Sequence, residues 1–292
     1  MTLEVEFGSK TYENKQRQKT DFAEIALELR RDVIKMLYLA KSGHSGGPLG
    51  LADIFSVLFF GEVMKYKPEN PMWEERDRFI LSAGHLAPIL YSSLARAGFF
   101  PVEELKTLRK YGSRLQGHPA LDVNLPGIET AAGSLGQGIS IAVGMAMSDK
   151  YLDKNQRRVF CLTGDGEMQE GSVWEAAMSA SNFKLDNLCW ILDNNDCQID
   201  GRVKDVMSIY PIDEKFKAFG FEVINIDGHN FEEIINAFKT FENNHKNKIQ
   251  KPTVIIAKTF MGKSVSFMQD NYNWHGNPPN EEQAKKALEE LV

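Results

Sequence analysis

The chain has 292 residues, 42% of them apolar and 25% charged, with a formal net charge of −6, enough material for one large domain with a well-buried core. The acidic balance argues against nucleic acid or an anionic membrane as the main partner, since both select basic patches. Three cysteines, Cys161, Cys189 and Cys197, lack metal-finger spacing, and the polar first twenty residues and the lack of any apolar run of about twenty argue against a signal peptide or membrane span, so a soluble cytoplasmic protein with reduced thiols is expected.

After a polar lead-in over 1–20, Phe22, Ile25, Ala26, Leu29, Val33, Ile34 and Leu37 recur at helical spacing and predict a helix over 21–40. It delivers a glycine-rich loop carrying His44. A helix over 52–63, a Pro/Asn-rich connector over 67–72, a short strand over 78–81 and helices over 85–98 and 102–110 follow. Residues 111–133 form a long loop, a kind of segment that is often functional in compact domains. A buried helix is expected over 136–152, where Gly138, Ala142, Gly144 and Ala146 suit close packing and free N–H groups at the start could face phosphate. Then come strands over 159–163 and 188–192 with a helix over 171–183 between them, strands over 222–226 and 253–258 with a helix over 231–241 between them, and a short amphipathic helical tail. The order is that of a single α/β domain, with a mainly parallel sheet flanked by helices, over 21–278 and a tail over 279–292.

The apolar run 159–163 ends at Gly164-Asp165-Gly166, and the run 188–192 ends at Asp193-Asn194-Asn195. Parallel strands end on the same sheet edge, so Asp165 and Asn195 can converge despite their separation in sequence. Two oxygen side chains at such tips, with glycine allowing close approach, suit a diphosphate held through Mg²⁺. The Asp165 carboxylate, the Asn195 amide oxygen, a loop carbonyl such as that of Cys197, two diphosphate oxygens and a water would complete an octahedron, which Ca²⁺ or Mn²⁺ could also occupy. Each half alone is an ordinary turn; the pair on successive strands points to function. Gly262-Lys263-Ser264 mimics the end of a P-loop, but Ala257 stands where its first glycine is required.

The segment from Gly164-Asp165-Gly166 to Asn194-Asn195 resembles the thiamin diphosphate motif, and its surroundings are similar to the N-terminal half of transketolase. The same order of signatures appears in Lys41-Ser42-Gly43-His44-Ser45-Gly46-Gly47-Pro48, Ser82-Ala83-Gly84-His85, Gly117-His118-Pro119, Gly133-Ser134-Leu135-Gly136-Gln137-Gly138, Gln169-Glu170-Gly171, Ile199-Asp200-Gly201, Ile226-Asp227-Gly228-His229 and Trp274-His275-Gly276. The resemblance runs from about residue 20 to 278. It implies that His85 and His275 contact thiamin diphosphate, with Gly133, Ser134 and Leu135 against its rings and Asp165, Gly166 and Asn195 at its diphosphate end. It also implies that His44 and His118, with His275, serve the sugar substrate, and that Glu170 joins an acidic network between subunits, unless it is simply a carboxylate in a helix first turn. His229 and His245 look ordinary. Cys197 stands where the family commonly has an apolar residue, a tolerable change if only its carbonyl binds metal.

In that family a glutamate on a second, pyrimidine-binding domain activates the thiamin, and no such domain follows residue 278 here. The resemblance therefore implies an N-terminal transketolase subunit that moves a two-carbon ketol unit from a ketose phosphate to an aldose phosphate, as in the pentose phosphate pathway. A C-terminal subunit carrying the pyrimidine-binding domain and its glutamate would complete the site, as a dimer of heterodimers. A truncated chain is the competing explanation of the length. The alternatives are the diphosphate-binding subunit of a 2-oxoacid decarboxylase or dehydrogenase, a related enzyme for an unusual sugar, and a non-catalytic binding module.

Overall fold

The computed structural model describes residues 3–292, so the first two residues of the lead-in lie outside it. The helices, in chain order, are α1 (Lys19–Ala40), α2 (Gly46–Gly50), α3 (Ala52–Phe60), α4 (Ala87–Arg96), α5 (Gln137–Met147), α6 (Gly171–Asn182), α7 (Val203–Val206), α8 (Ile212–Ala218), α9 (Phe231–Lys246) and α10 (Glu281–Glu290). The strands are β1 (Arg78–Leu81), β2 (Val159–Gly164), β3 (Leu188–Asn194), β4 (Cys197–Gln198), β5 (Gly201–Arg202), β6 (Glu222–Asp227) and β7 (Thr253–Lys258). Five of them form a sheet in the order β1-β2-β3-β7-β6, every pair parallel, and β4 and β5 form a small antiparallel hairpin beside it. This is the α/β architecture expected from the sequence.

The central strands read as unbroken apolar runs because both faces of the sheet are covered. Successive side chains of β2 and β3 point to opposite faces. Phe160, Leu162, Cys189 and Ile191 join the core made with α1, α3, α4 and α9, while Cys161, Leu188, Trp190 and Leu192 join the core made with α5, α6 and α8. The tail helix α10 has a capping box at Asn280 and Gln283 and buries Ala284 and Ala287 in the first core, with Leu291 beyond it.

Several sequence expectations are corrected. The stretch 102–110 forms a 3-10 helix over Val102–Thr107, because the spacing of Val102 and Leu105 suits either winding. The helix expected over 52–63 ends at Phe60, and part of the glycine-rich loop before it forms α2. The helix expected over 136–152 is α-helical only to Met147 and continues as a π-turn over Ser148–Leu152. Only one face of it is buried: Gly138, Ile139, Ala142 and Ala146 pack inward, while Ile141 and Gly144 are exposed. The lead-in is also anchored, with Phe7 buried and its carbonyl accepting a 2.6 Å hydrogen bond from buried Arg96.

Two glycines set α5 against the sheet. Gly136 takes φ of 81°, a left-handed conformation that glycine adopts without strain. Gly138 faces the chain just past β1, where a Cβ would lie 2.6 Å from Ser82 Cα. The start of α5 therefore lies directly over the ends of β1 and β2.

Candidate cofactor and substrate site

A cavity of about 330 Å³ opens at the C-terminal edge of the sheet, the edge where ligands bind in open parallel sheets. Its lining includes His44, His85, His118, Gly133, Leu135, Asp165, Gly166, Glu170, Asn195, Cys197 and His275. Of the residues singled out from the sequence, only Ser134 does not line it; Ser134 is exposed between two residues that do.

The floor is made by the tips of β2 and β3. Asp165 follows β2, and its Oδ1 accepts a 2.8 Å hydrogen bond from the Gly166 N–H while Oδ2 accepts from the Asp196 N–H. The Asn195 Oδ1 accepts from the Cys197 N–H at 2.8 Å, and its Nδ2 donates to Asp193 at 2.8 Å. Asp165, Asp193 and Asn195 are all buried. Burial first, then the neighbouring Asp193 charge, pushes the Asp165 carboxyl well above its ordinary range, and burial pushes Asp193 up to about 6. Neither carboxylate has an ion-pair partner among the described residues. The Cys197 thiol is pushed up to about 11 by burial and accepts from Arg202 at 3.2 Å, leaving it a weak metal ligand.

These residues fit a hard divalent cation with a diphosphate. Two buried carboxylates without basic partners create a negative pocket that a cation would neutralise. Among the described residues no three His, Cys, Asp or Glu side chains form a metal cluster. An ion here would therefore take its remaining ligands from Asn195, the main chain and a bound anion, as Mg²⁺ commonly does.

The upper part holds four imidazoles from four separate segments: the loop after α1, the turn after β1, the long loop 111–133, and the turn before α10. The His44 ring centroid lies 5.0 Å from that of His85, 5.6 Å from that of His275 and 6.5 Å from that of His118, and His85 and His275 are 5.0 Å apart. Burial is the first cause holding all four below their ordinary proton affinity, with His44 lowered to about 4 and His85 well below its usual value. Repulsion from His275 and from the Arg109 guanidinium adds to this at His44. Near neutral pH the four rings are uncharged, each able to donate one hydrogen bond and accept another. His44 Nδ1 and His275 Nδ1 are buried without a protein partner.

Sequence reasoning gave Glu170 a role in an acidic network and passed over Glu167. In this chain Glu170 is exposed at the cavity, just before α6, with no side-chain capping bond. Glu167 is the buried one: it accepts from Gly136 N–H at 2.7 Å, Ser82 Oγ at 2.5 Å and Gly164 N–H at 3.2 Å. The Gly136 N–H at the mouth of α5 is thus taken by this carboxylate and not left for phosphate. His229, read as ordinary, is held between two partners. Its Nδ1 lies 2.7 Å from Asp53, and its Nε2 accepts from the Phe260 N–H at 2.9 Å, next to Met261 of the cavity wall. The sequence signal for Glu167 is its place two residues after Asp165, inside the turn that closes β2.

A family profile described as "Transketolase, thiamine diphosphate binding domain" matches residues 23–291. The chain is 40% identical to one of the two chains of the apulose-4-phosphate transketolase of Phocaeicola vulgatus, covering 90% of each sequence. It is also 40% identical to "6-deoxy-6-sulfo-D-fructose transketolase subunit SqwG" of Clostridium sp. (strain MSTE9), covering 92% of this chain and 97% of that one. The crystal structure of transketolase from Campylobacter jejuni superposes with a TM-score of 0.85 at 38% identity, covering 93% of this chain and 43% of that one. The chain spans under half the length of the full-length transketolases it matches. A matching profile over nearly every residue, and a matching fold around the cavity, show that the chain belongs to the transketolase family and carries its thiamin diphosphate binding domain.

Proposed function

We propose that this chain is the N-terminal subunit of a two-chain transketolase that depends on thiamin diphosphate and Mg²⁺ and moves a two-carbon ketol unit from a ketose phosphate to an aldose phosphate. The observation that carries this reading is the meeting, in one cavity, of the Asp165 and Asn195 strand tips with four uncharged imidazoles. Asp165, the Asn195 amide oxygen and the Cys197 carbonyl would hold the ion at the diphosphate end, with Gly166 allowing close approach. His85, His275, Gly133, Ser134 and Leu135 would lie along the cofactor, and Glu170 at its rim. When bound, thiamin diphosphate supplies the electron sink that lets a carbon–carbon bond beside a ketone break. His44, His118 and His275 would bind sugar hydroxyls and move protons at them, work suited to imidazole held neutral near pH 7.

A second chain fits the open side of the cavity. Leu135 and Ile199 line it and are 37% and 63% exposed, and Met178 and Met207 add to the apolar surface. Exposed apolar surface of this kind marks an interaction site. The partner we assign is a C-terminal transketolase subunit with the pyrimidine-binding domain and activating glutamate, assembled as a dimer of heterodimers in the cytoplasm. Among the described residues no helix is long and apolar enough to cross a membrane.

The test is product analysis with the chain alone and with its candidate partner. Ketose phosphate with aldose phosphate, branched and sulfonated ketoses, and a 2-oxoacid would be compared. Ketol transfer only with both chains present is expected. Full turnover by this chain alone would overturn the two-chain reading, and decarboxylation of the 2-oxoacid without ketol transfer would overturn the sugar reading.

A further inference from the structure

Each of two site histidines follows a glycine, Gly43-His44 and Gly117-His118, and close approach of a ligand is the obvious reason for both. The room beside both glycines is already filled by one side chain. A Cβ on Gly117 would lie 2.6 Å from Arg109 Cζ, and a Cβ on Gly43 would lie 3.4 Å from Arg109 Nε. The guanidinium donates to Ser42 Oγ at 3.2 Å and to the Gly117 carbonyl at 3.4 Å. Arg109 thus lies between the loop after α1 and the loop 111–133, which are joined in sequence only through most of the first core.

We propose that Arg109 is a positioning residue that ties the His44 loop to the His118 loop and so fixes both imidazoles for the sugar, an inference resting on the function proposed above. Three further observations support it. Arg109 has its backbone at φ 58°, outside the range most side chains prefer, and its N–H is fixed by the Leu115 carbonyl at 2.8 Å. No carboxylate forms an ion pair with it among the described residues, so its donors are spent on the two loops. Its charge also lowers the proton affinity of both His44 and His118. His44 faces His85, His118, His275 and Arg109; His118 faces His44 and Arg109. No acidic side chain is among these neighbours. A planar fork can bridge two loops where an ammonium cannot.

The experiment uses Arg109→Gln, Arg109→Lys and Gly117→Ala in the full chain, followed by kinetics of the two-chain enzyme. Arg109→Gln is expected to speed amide hydrogen exchange over 41–45 and 111–118 together by roughly tenfold. It should raise the NMR titration midpoints of His44 and His118, leave that of His245 in place, and raise KM for the sugar phosphate more than it lowers kcat. Arg109→Lys keeps the charge and loses the fork, so the loops loosen while the titrations hold. Gly117→Ala displaces the guanidinium with Arg109 retained and should loosen the same two loops, which covers the case of Arg109→Gln failing to fold. Calorimetric affinity for thiamin diphosphate with Mg²⁺ should stay unchanged in all three. Undisturbed exchange in either loop, with KM unchanged, would overturn the proposal. An absence of sugar-phosphate turnover in the unaltered enzyme would count against the proposed function alone, since exchange and titration still report on Arg109.

Discussion

The Glu167 Oε1 lies 2.7 Å from the Gly136 nitrogen and accepts its hydrogen bond, joining the turn after β2 to the mouth of α5. The same carboxylate takes the Ser82 hydroxyl and the Gly164 N–H, so three segments that wall the cavity meet on one side chain. Burial raises its proton affinity, and these donors hold it back down.

Glu167→Gln should therefore destabilise the fold. Whichever way the amide turns, its NH₂ faces a backbone N–H, and a buried donor loses its acceptor, at a cost of about 1–3 kcal/mol. Urea unfolding would read this as a lower midpoint at unchanged slope. An unshifted midpoint would show that the three bonds contribute nothing net.

Gly138→Ala tests the close contact of α5 with the chain past β1. The added methyl would meet Ser82 Cα at 2.6 Å, backbone that cannot swing aside, and overpacking of this kind costs about 1–3 kcal/mol. The cavity wall should move with Ser82, so weaker cofactor binding is expected along with the lower unfolding midpoint. Wild-type stability in this variant would place α5 farther from the sheet.

His44→Gln tests the state of the imidazole cluster through pH. An unfolded histidine titrates near 6.5, and burial, with His275 and Arg109, lowers His44 in the fold to about 4. Between these values the unfolded chain binds more protons, so stability rises with pH there. The contribution is fully present above pH 6.5 and is lost as pH falls through about 4. The stability difference between wild type and His44→Gln should accordingly shrink as pH is lowered across that window, read from urea midpoints. A gap that does not change with pH would mean that His44 is not desolvated.

The strands were legible in the sequence because the sheet is buried on both faces, which makes 78–81, 159–163, 188–192 and 253–258 plain apolar runs. Asp165 and Asn195 were legible because they end successive runs of that kind. Val102–Thr107 was misread as an α-helix since apolar spacing alone does not separate a 3-10 from an α winding. Glu167, His229 and Arg109 were missed for a different reason. Their partners lie far along the chain, as in the 85 residues between Ser82 and Glu167 and the 176 between Asp53 and His229, and no local pattern encodes such pairings. Glu170 attracted attention through its motif, whereas burial singles out its neighbour.

The most direct measurement is calorimetric titration of thiamin diphosphate with Mg²⁺ into the full chain and into Asp165→Ala, with far-ultraviolet circular dichroism to verify the fold. Loss of a direct ion ligand should weaken binding by at least about 100-fold, more than removal of an outer hydrogen-bond partner does, and the unaltered chain should bind the cofactor only when the metal is present. Equal affinity in the two proteins, or metal-independent binding, would contradict a diphosphate held through an ion between the tips of β2 and β3.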